Sequence, residues 1–343
     1  MKLNSLILVT GGTGFLGAHL LVQLTAEGLP VRAIKRSESS LAFVKQIFQI
    51  YATDVTRQWE LVEWKEADLL DIFQLEEALE GVTQVYHCAG KVSFVPSGRS
   101  ELLAVNARGT ANLVNLCLNL PNIRFCHVSS IAAIGRSRLD EVIAEDRFWK
   151  NDPNNSWYAI SKYQAEREVW RGIEEGLNAV IVNPAVILGV CNWQEGTGRL
   201  FSQVWNGLKF YTHGITGWVD VKDVARAMIV LMKSQVVAER YILSEGNYPY
   251  RDIFNRIADA LGKKHPSVFA SPVLTGLAWR FDAFRSRFTG TEPLITRESA
   301  KTANLRCFYD NQKFVKQFAF SYTPIDQTIR ATANEFMKAV SFN

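Results

Sequence analysis

The sequence predicts an α/β fold: a doubly wound parallel sheet with a smaller, mainly helical C-terminal substrate domain. Three observations predict it. A short apolar, β-branched run near the N-terminus ends in a glycine-rich turn, "VTGGTGFLG", Val9 to Gly17. Similar runs recur, separated by stretches of helical periodicity, as in a parallel sheet covered on both faces. After Gly189 the alternation stops and an aromatic-rich stretch begins.

Leu6 to Thr10 reads as a buried strand bounded by glycine. From Leu16 the apolar positions Leu16, Leu20 and Leu24 recur at helical spacing, and Gly28 and Pro30 end the helix. Val31 to Ile34 is a second strand, completing a βαβ unit. "LVEWKEADLLD" reads as a third strand ending at Asp68, and "GVTQVYHCAG" as a fourth running into the loop Cys88-Ala89-Gly90. "IRFCHVSSIAAIG" is a fifth ending at Ser129-Ser130, "NAVIVNPAVILG" a sixth, and "AERYILSEG", Ala238 to Gly246, one more strand returning to the sheet. Ligands of such sheets bind outside the carboxyl ends of the strands. The candidate residues below all fall at such ends or at helix starts.

Apolar residues make up 48% and charged residues 21% of the 343, as in an ordinary globular protein. The net charge of +4 is small and dispersed, which argues against a nucleic-acid partner. Cys88, Cys117, Cys126, Cys191 and Cys307 show neither a C-x-x-C pair nor metal-ligand spacing, and read as reduced thiols. His19, His87, His127, His213 and His265 likewise lack ligand spacing; they read as structural, and no metal is expected. With no basic n-region or cleavage site, and no apolar run of roughly 18 residues, the expected location is cytoplasmic, without a transmembrane segment.

A helix N-terminus offers free N–H groups and partial positive charge to an anion. Gly11, Gly14 and Gly17, spaced G-x-x-G-x-x-G after Thr10, would let a dinucleotide pyrophosphate reach those groups; the alternative is a tight structural turn. A carboxylate at the end of the second strand would favour NAD. Here Lys35 and Arg36 stand instead, and Arg36 suits a forked contact with a 2′-phosphate, so NADP(H) is the expected cofactor, ahead of NAD. The alternative is a solvated surface arginine.

Tyr158 and Lys162 lie in "NSWYAISKYQAERE" at i, i+4, on one face of a predicted helix. A neighbouring ammonium is expected to lower the phenol's pKa, so that the pair exchanges a proton with an alcohol or carbonyl oxygen near neutral pH. Ser130, at the end of strand five, could bond the same oxygen.

Together these segments resemble an extended short-chain dehydrogenase/reductase, most similar to the dihydroflavonol 4-reductase-like branch of the NAD-dependent epimerase/dehydratase family. The resemblance covers nearly the whole chain and implies a Rossmann sheet. The family's glycine motif is matched by "TGGTGFLG", which carries Gly11, Thr13, Gly14, Phe15, Leu16 and Gly17. Its adenine-contacting pair is matched by Asp68-Leu69, and its strand-four loop by "HCAGKV" with Cys88, Ala89, Gly90 and Lys91. "VNARGT" supplies Asn106, which in the family supports the active site, and "NPAVILG" supplies Pro184 and Val186 beside the nicotinamide. "GWVDVKDVARAM" matches a late structural motif near Asp220 and Asp223. The resemblance implies that Tyr158 is the general acid in reduction, that Lys162 bonds the nicotinamide ribose, and that Ser130, rather than Ser129, orients the substrate oxygen. Ile131, Ala132 and Ala133 stand where sugar-nucleotide dehydratases carry acids, which argues against dehydration. For Lys91, cofactor contact and plain solvation are both open.

The C-terminal stretch holds Trp193, Phe201, Trp205, Phe210, Tyr211 and Trp218, which could line an apolar pocket or simply pack between domains. "SPVLTGLAWRFDAFRSRFTG" reads as a helix with Val273, Leu277, Phe281, Phe284 and Phe288 on one side and Arg280, Arg285 and Arg287 among them, a lid or packed helix rather than a membrane-surface one. The expected domains are 1–189 plus about 219–246 for the dinucleotide and about 190–218 plus 247–343 for the substrate. The expected function is an NADP(H)-dependent reductase of a ketone or aldehyde on a small, cyclic or hydrophobic molecule, with a homodimer left open. The rivals are a nucleotide-sugar 4-epimerase with tightly held NAD and a non-catalytic dinucleotide-sensing module.

Overall fold

The computed structural model describes residues 6–93, 98–135, 141–153, 155–271, 274–276, 279–282, 285 and 302–341. Its main sheet has seven strands: β1 (Leu6–Thr10), β2 (Val31–Lys35), β3 (Val62–Glu66), β4 (Val82–His87), β5 (Arg124–Val128), β6 (Asn178–Pro184) and β7 (Glu239–Leu243). They lie in the order β7-β6-β5-β4-β1-β2-β3, and every pairing is parallel. The order reverses at β1, between β2 and β4, and this switch point opens a crevice at the carboxyl ends of the strands.

Both faces of the sheet are buried, so the strands read as continuous apolar runs. Along β1, Ile7 and Val9 face one core and Leu8 the other. The first core takes the helices Phe15–Ala26, Ala42–Tyr51 and Val221–Lys233; the second takes Ile72–Leu79, Gly109–Leu118 and Trp157–Glu174.

Two expected strands end early. β3 stops at Glu66, and Asp68 lies in the following loop, where its Oδ1 accepts the Leu70 N–H at 2.8 Å. The sixth expected strand divides into two. Pro184 has no N–H to extend the ladder, Ala185 N–H makes the last bond to β7 at Leu243 O, and Val186–Leu188 enters another sheet. That sheet has three strands, with Ile215–Asp220 between Val186–Leu188 and Gly246–Pro249.

The third core holds the C-terminal part. Leu188, Phe201, Trp218, Ile253, Ile257, Ile329 and Phe336 are buried there. Trp193, Phe201 and Trp205 pack around the Phe336 ring at 5.1–6.4 Å between centroids. Trp218 is fully buried and donates its indole N–H to Tyr248 O. Packing thus accounts for four of the six aromatics that could have lined a pocket. Phe210 and Tyr211 lie apart, on a two-stranded ribbon with Val268–Phe269, and Phe210 is exposed.

Much of the helix expected over 271–290 lies outside the described residues, including Val273, Leu277, Phe284, Arg287 and Phe288. Phe281 is described and exposed, and Arg285 pairs with Asp282. Among the described residues no helix is long and apolar enough to cross a membrane.

Candidate active site

The glycine turn joins β1 to the helix Phe15–Ala26. Gly11 has φ +70°, and a Cβ there would lie 2.6 Å from Ala89 N. A Cβ at Gly17 would lie 2.1 Å from Gly11 O. These two glycines are therefore required by the protein's own backbone, a packing reason that stands beside the room for a ligand expected from their spacing. Gly14 differs. It is exposed, its φ is ordinary, and a Cβ would meet only Gly11 O, at 3.2 Å. Gly14 is the N-cap residue, with no side-chain cap and no acid in the first turn, so the end of the helix presents its N–H groups to the crevice. That cradle fits a diphosphate. Thr13 and Phe15 flank it half-buried, while the Leu16 side chain belongs to the core and leaves only its backbone to a ligand.

A directional hydrogen-bond chain ties β1 to the β4 loop. Ala89 N–H donates to Thr10 Oγ1 at 3.2 Å, and Thr10 Oγ1 bonds His87 Nδ1 at 2.7 Å. His87 Nε2 bonds Thr110 Oγ1 at 2.9 Å, and the Thr110 hydroxyl donates to Asn106 O. Burial pushes the His87 imidazole down to about 3. The ring is therefore neutral, donating through Nε2 and accepting at Nδ1. Asn106 sits in a π-helical turn, Ala104–Arg108, of the kind often found at functional sites. Its amide is fully used: Oδ1 accepts Lys91 N–H at 2.7 Å, and Nδ2 donates to Lys91 O and Ser161 Oγ, each at 2.9 Å. The loop Cys88–Lys91 is thus held from both ends.

Ser156 caps the helix Trp157–Glu174 by accepting the Ala159 N–H, and the helix carries Tyr158 and Lys162 one turn apart. Lys162 is buried and donates to Val128 O at 2.9 Å. A Cβ at Gly90 would lie 2.9 Å from its Nζ, so Gly90 gives the ammonium its place. Ser130, at the end of β5, accepts the Ala132 N–H and is hydrogen-bonded to Tyr158. Ser129 is turned away, its hydroxyl donating to Glu166. The structure therefore brings together Tyr158, Lys162, Ser130, Asn106 and Gly90, and leaves Ser129 out.

The expected lowering of the phenol by the ammonium is reversed. Burial raises the Tyr158 hydroxyl above its ordinary value, with the Ser130 hydrogen bond acting against it. Burial also lowers Lys162 to about 8, opposed by Cys88 and Glu166. Desolvation sets both directions, because each group is removed from water. Tyr158 keeps a partly exposed edge and holds its proton near neutral pH.

Around this centre, Pro184 is buried at the end of β6 and Val186 is half-buried. Leu69 is core, packed against Gly109, where a Cβ would lie 2.8 Å from the Leu69 Cβ; Asp68 stays half-buried at the crevice rim. Cys88 is half-buried, and burial pushes its thiol up to about 12, which suits a packing role. Arg36 is exposed and paired with Glu38 at 3.0 Å. Lys91 is paired with Glu101, and Arg36 also acts on that carboxylate. Sequence reasoning missed a buried network behind the serines. Glu166 there receives Ser129, Asn183, Trp170 and Arg240. Its position four residues after Lys162 was the available signal.

Residues 7–243 match the sequence pattern of the NAD dependent epimerase/dehydratase family. The chain belongs to that family. Its curated relatives include "Sterol demethylase protein B" of Methylococcus capsulatus, 29% identical, with 82% of each chain covered. Cinnamoyl-CoA reductase CAD2 of Medicago truncatula is 28% identical, covering 74% of this chain and 79% of the relative. A Synechocystis protein named for dihydroflavonol 4-reductase is 25% identical over 96% and 93%. Among solved structures, that of gox2253 superimposes with a TM-score of 0.79 at 25% identity, over 98% and 99% of the two chains. The family places the chain in the extended short-chain dehydrogenase/reductase branch, as an enzyme of the NAD(P)-dependent oxidoreductase class. In this family a bound dinucleotide supplies or accepts the hydride, and the crevice above Gly14 is where the switch-point rule puts it.

Proposed function

We propose that the protein is an NADP(H)-dependent reductase acting on a ketone or aldehyde carbon of a small cyclic or hydrophobic molecule. The observation that carries this reading is Tyr158, which keeps its proton and is hydrogen-bonded to Ser130. A carbonyl that gains a hydride needs a proton donor at its oxygen, and a phenol raised by burial is one. In this reading Tyr158 gives the proton, Ser130 aligns the oxygen, and Lys162 bonds the nicotinamide ribose. Asn106 holds the Gly90–Lys91 loop beside them.

Cofactor contacts are assigned to Gly11, Thr13, Gly14, Phe15, Leu16 and Gly17 at the turn and to Asp68 and Leu69 at the adenine. Cys88, Ala89, Gly90, Lys91, Asn106, Pro184 and Val186 complete the set around the ribose and nicotinamide. Arg36 is assigned to the 2′-phosphate, and this supports NADP(H) over NAD(H). Its exposed pairing with Glu38 is weak enough to exchange. The two-domain division over 1–189 plus about 219–246 and about 190–218 plus 247–343 puts the substrate between the Tyr158 helix and the C-terminal core. Cysteines that the structure holds as thiols fit a cytoplasmic location.

The test is NADPH oxidation across a panel of aromatic and alicyclic aldehydes and ketones, wild type against Tyr158→Phe. Turnover is expected to fall by roughly 100-fold or more, the scale of a lost general acid, with NADPH affinity retained. Tightly retained NAD and interconversion of nucleotide sugars without net cofactor turnover would replace this reading with the epimerase.

A further inference from the structure

The Glu166 carboxylate is buried, and each of its four acceptor sites meets a donor. Oε2 accepts Ser129 Oγ at 2.5 Å and Asn183 Nδ2 at 2.8 Å; Oε1 accepts Arg240 Nη1 at 2.7 Å and Trp170 Nε1 at 3.3 Å. Arg240 is itself fixed, donating Nε to Glu145 O and Nη2 to Arg147 O. Asn183 Nδ2 also donates to Ser130 O at 3.0 Å, so the network holds the backbone of the substrate-facing serine as well as the side chain of its neighbour. Four elements meet at this one carboxylate: β5, β6, β7 and the Tyr158 helix.

We propose that Glu166 is a positioning residue for the Tyr158–Lys162–Ser130 centre, fixing the end of β5 through Ser129 and Asn183 and holding a negative charge one helical turn from the Lys162 ammonium. The proposal deepens the reductase reading and rests on it for its catalytic meaning. Among the described residues the charges that face Lys162 are few. Cys88 lies beside it with a protonated thiol, His87 and His127 are buried and neutral, Tyr158 keeps its proton, and Arg240 lies on the far side of Glu166. With the Cys88 thiol protonated, Glu166 is, among the described residues, the carboxylate that favours the charged form of this buried lysine. Without it the amine would lose its proton at lower pH, and a ribose ligand would meet a neutral partner.

The test is the titration of Lys162 in full-length protein labelled with 13C at the lysine ε-carbons, its resonance identified by its loss in Lys162→Met. The midpoint in Glu166→Gln is expected at lower pH than in wild type. Ser129→Ala, which removes one bond and no charge, is expected to leave the midpoint in place. Glu166→Gln removes the carboxylate from a half-buried guanidinium, so Glu166→Gln/Arg240→Met is measured beside it in case the single variant does not fold, with the same expected direction. An unmoved midpoint in a folded variant overturns the proposal and leaves Glu166 a structural residue. The titration needs neither substrate nor cofactor. Failure of NADPH turnover in the wild type would remove the reductase reading while a shifted midpoint still supports the charge role.

Discussion

At the scale of single residues, the three glycines of the turn separate by what each one faces. Gly14→Ala asks Gly11 O to give by a few tenths of an ångström and puts a methyl group on the open side of the helix N-terminus. The fold should survive, and calorimetric titration with NADPH should show affinity sharply reduced; unchanged affinity would remove Gly14 from the cofactor site. Gly17→Ala drives its Cβ into Gly11 O, so its primary effect should be on thermal stability, and a normally folded Gly17→Ala protein would contradict the turn geometry. Arg36 is argued from charge instead. A guanidinium–phosphate contact at this exposed position, in competition with Glu38, is worth about 1.5 kcal/mol, the low end for charged hydrogen bonds, or roughly tenfold in affinity. Arg36→Ala should lower NADPH affinity by that factor and leave NADH affinity unchanged, measured at one fixed salt concentration. A wild type that prefers NADH would cancel the assignment.

At the scale of elements, the chain Ala89–Thr10–His87–Thr110–Asn106 joins β1, β4 and the π-helical turn into one rigid floor for the cofactor loop. Thr10→Val keeps the shape and removes the hydroxyl, leaving the buried His87 Nδ1 and the half-buried Ala89 N–H unpaired. A buried group left without its partner costs about 1–3 kcal/mol. Chemical denaturation should show a loss of that size, together with weaker dinucleotide binding. Full stability in Thr10→Val would mean that the chain is not what holds the loop.

At the scale of the whole molecule, the buried neutral histidines set the acid limit of stability. Burial lowers His19 to about 4 and His87 to about 3, against an ordinary 6.5. Between those values and 6.5 the unfolded chain binds protons that the folded chain refuses. Stability therefore falls as pH falls through that window, by up to about 1.4 kcal/mol per pH unit for each histidine. Denaturation midpoints measured from pH 7 to 4 should decline, and His19→Phe should flatten the decline even though it gives up the bond to Phe15 O. Equal slopes in both proteins would show that groups other than His19 carry the acid sensitivity. The third core makes a separate claim. Phe336→Ala empties the centre of the Trp193–Phe201–Trp205 cluster and should cost about 3–5 kcal/mol.

What the sequence by itself determined was the succession of parallel βα units and which candidate residues stand at the strand ends, because both are local. Glycine spacing, the Tyr158–Lys162 interval and the Lys35–Arg36 substitution are read along the chain without knowing what packs where. The tertiary structure decided everything that depends on desolvation and on partners distant in sequence. Only the close approach of Ala89 and of the Gly11 carbonyl separates the structural glycines from Gly14. The sign of the Tyr158 shift turned on burial, which spacing does not report. Glu166 supplied the reason that Ser129 turns away from Tyr158, and Trp193, Phe201 and Trp205 proved to be packing residues because Phe336, more than a hundred residues later in the chain, fills their centre. A hydrogen-bonded carboxylate or a packed ring acquires its energy from the groups around it, and those are assembled only when the chain has closed.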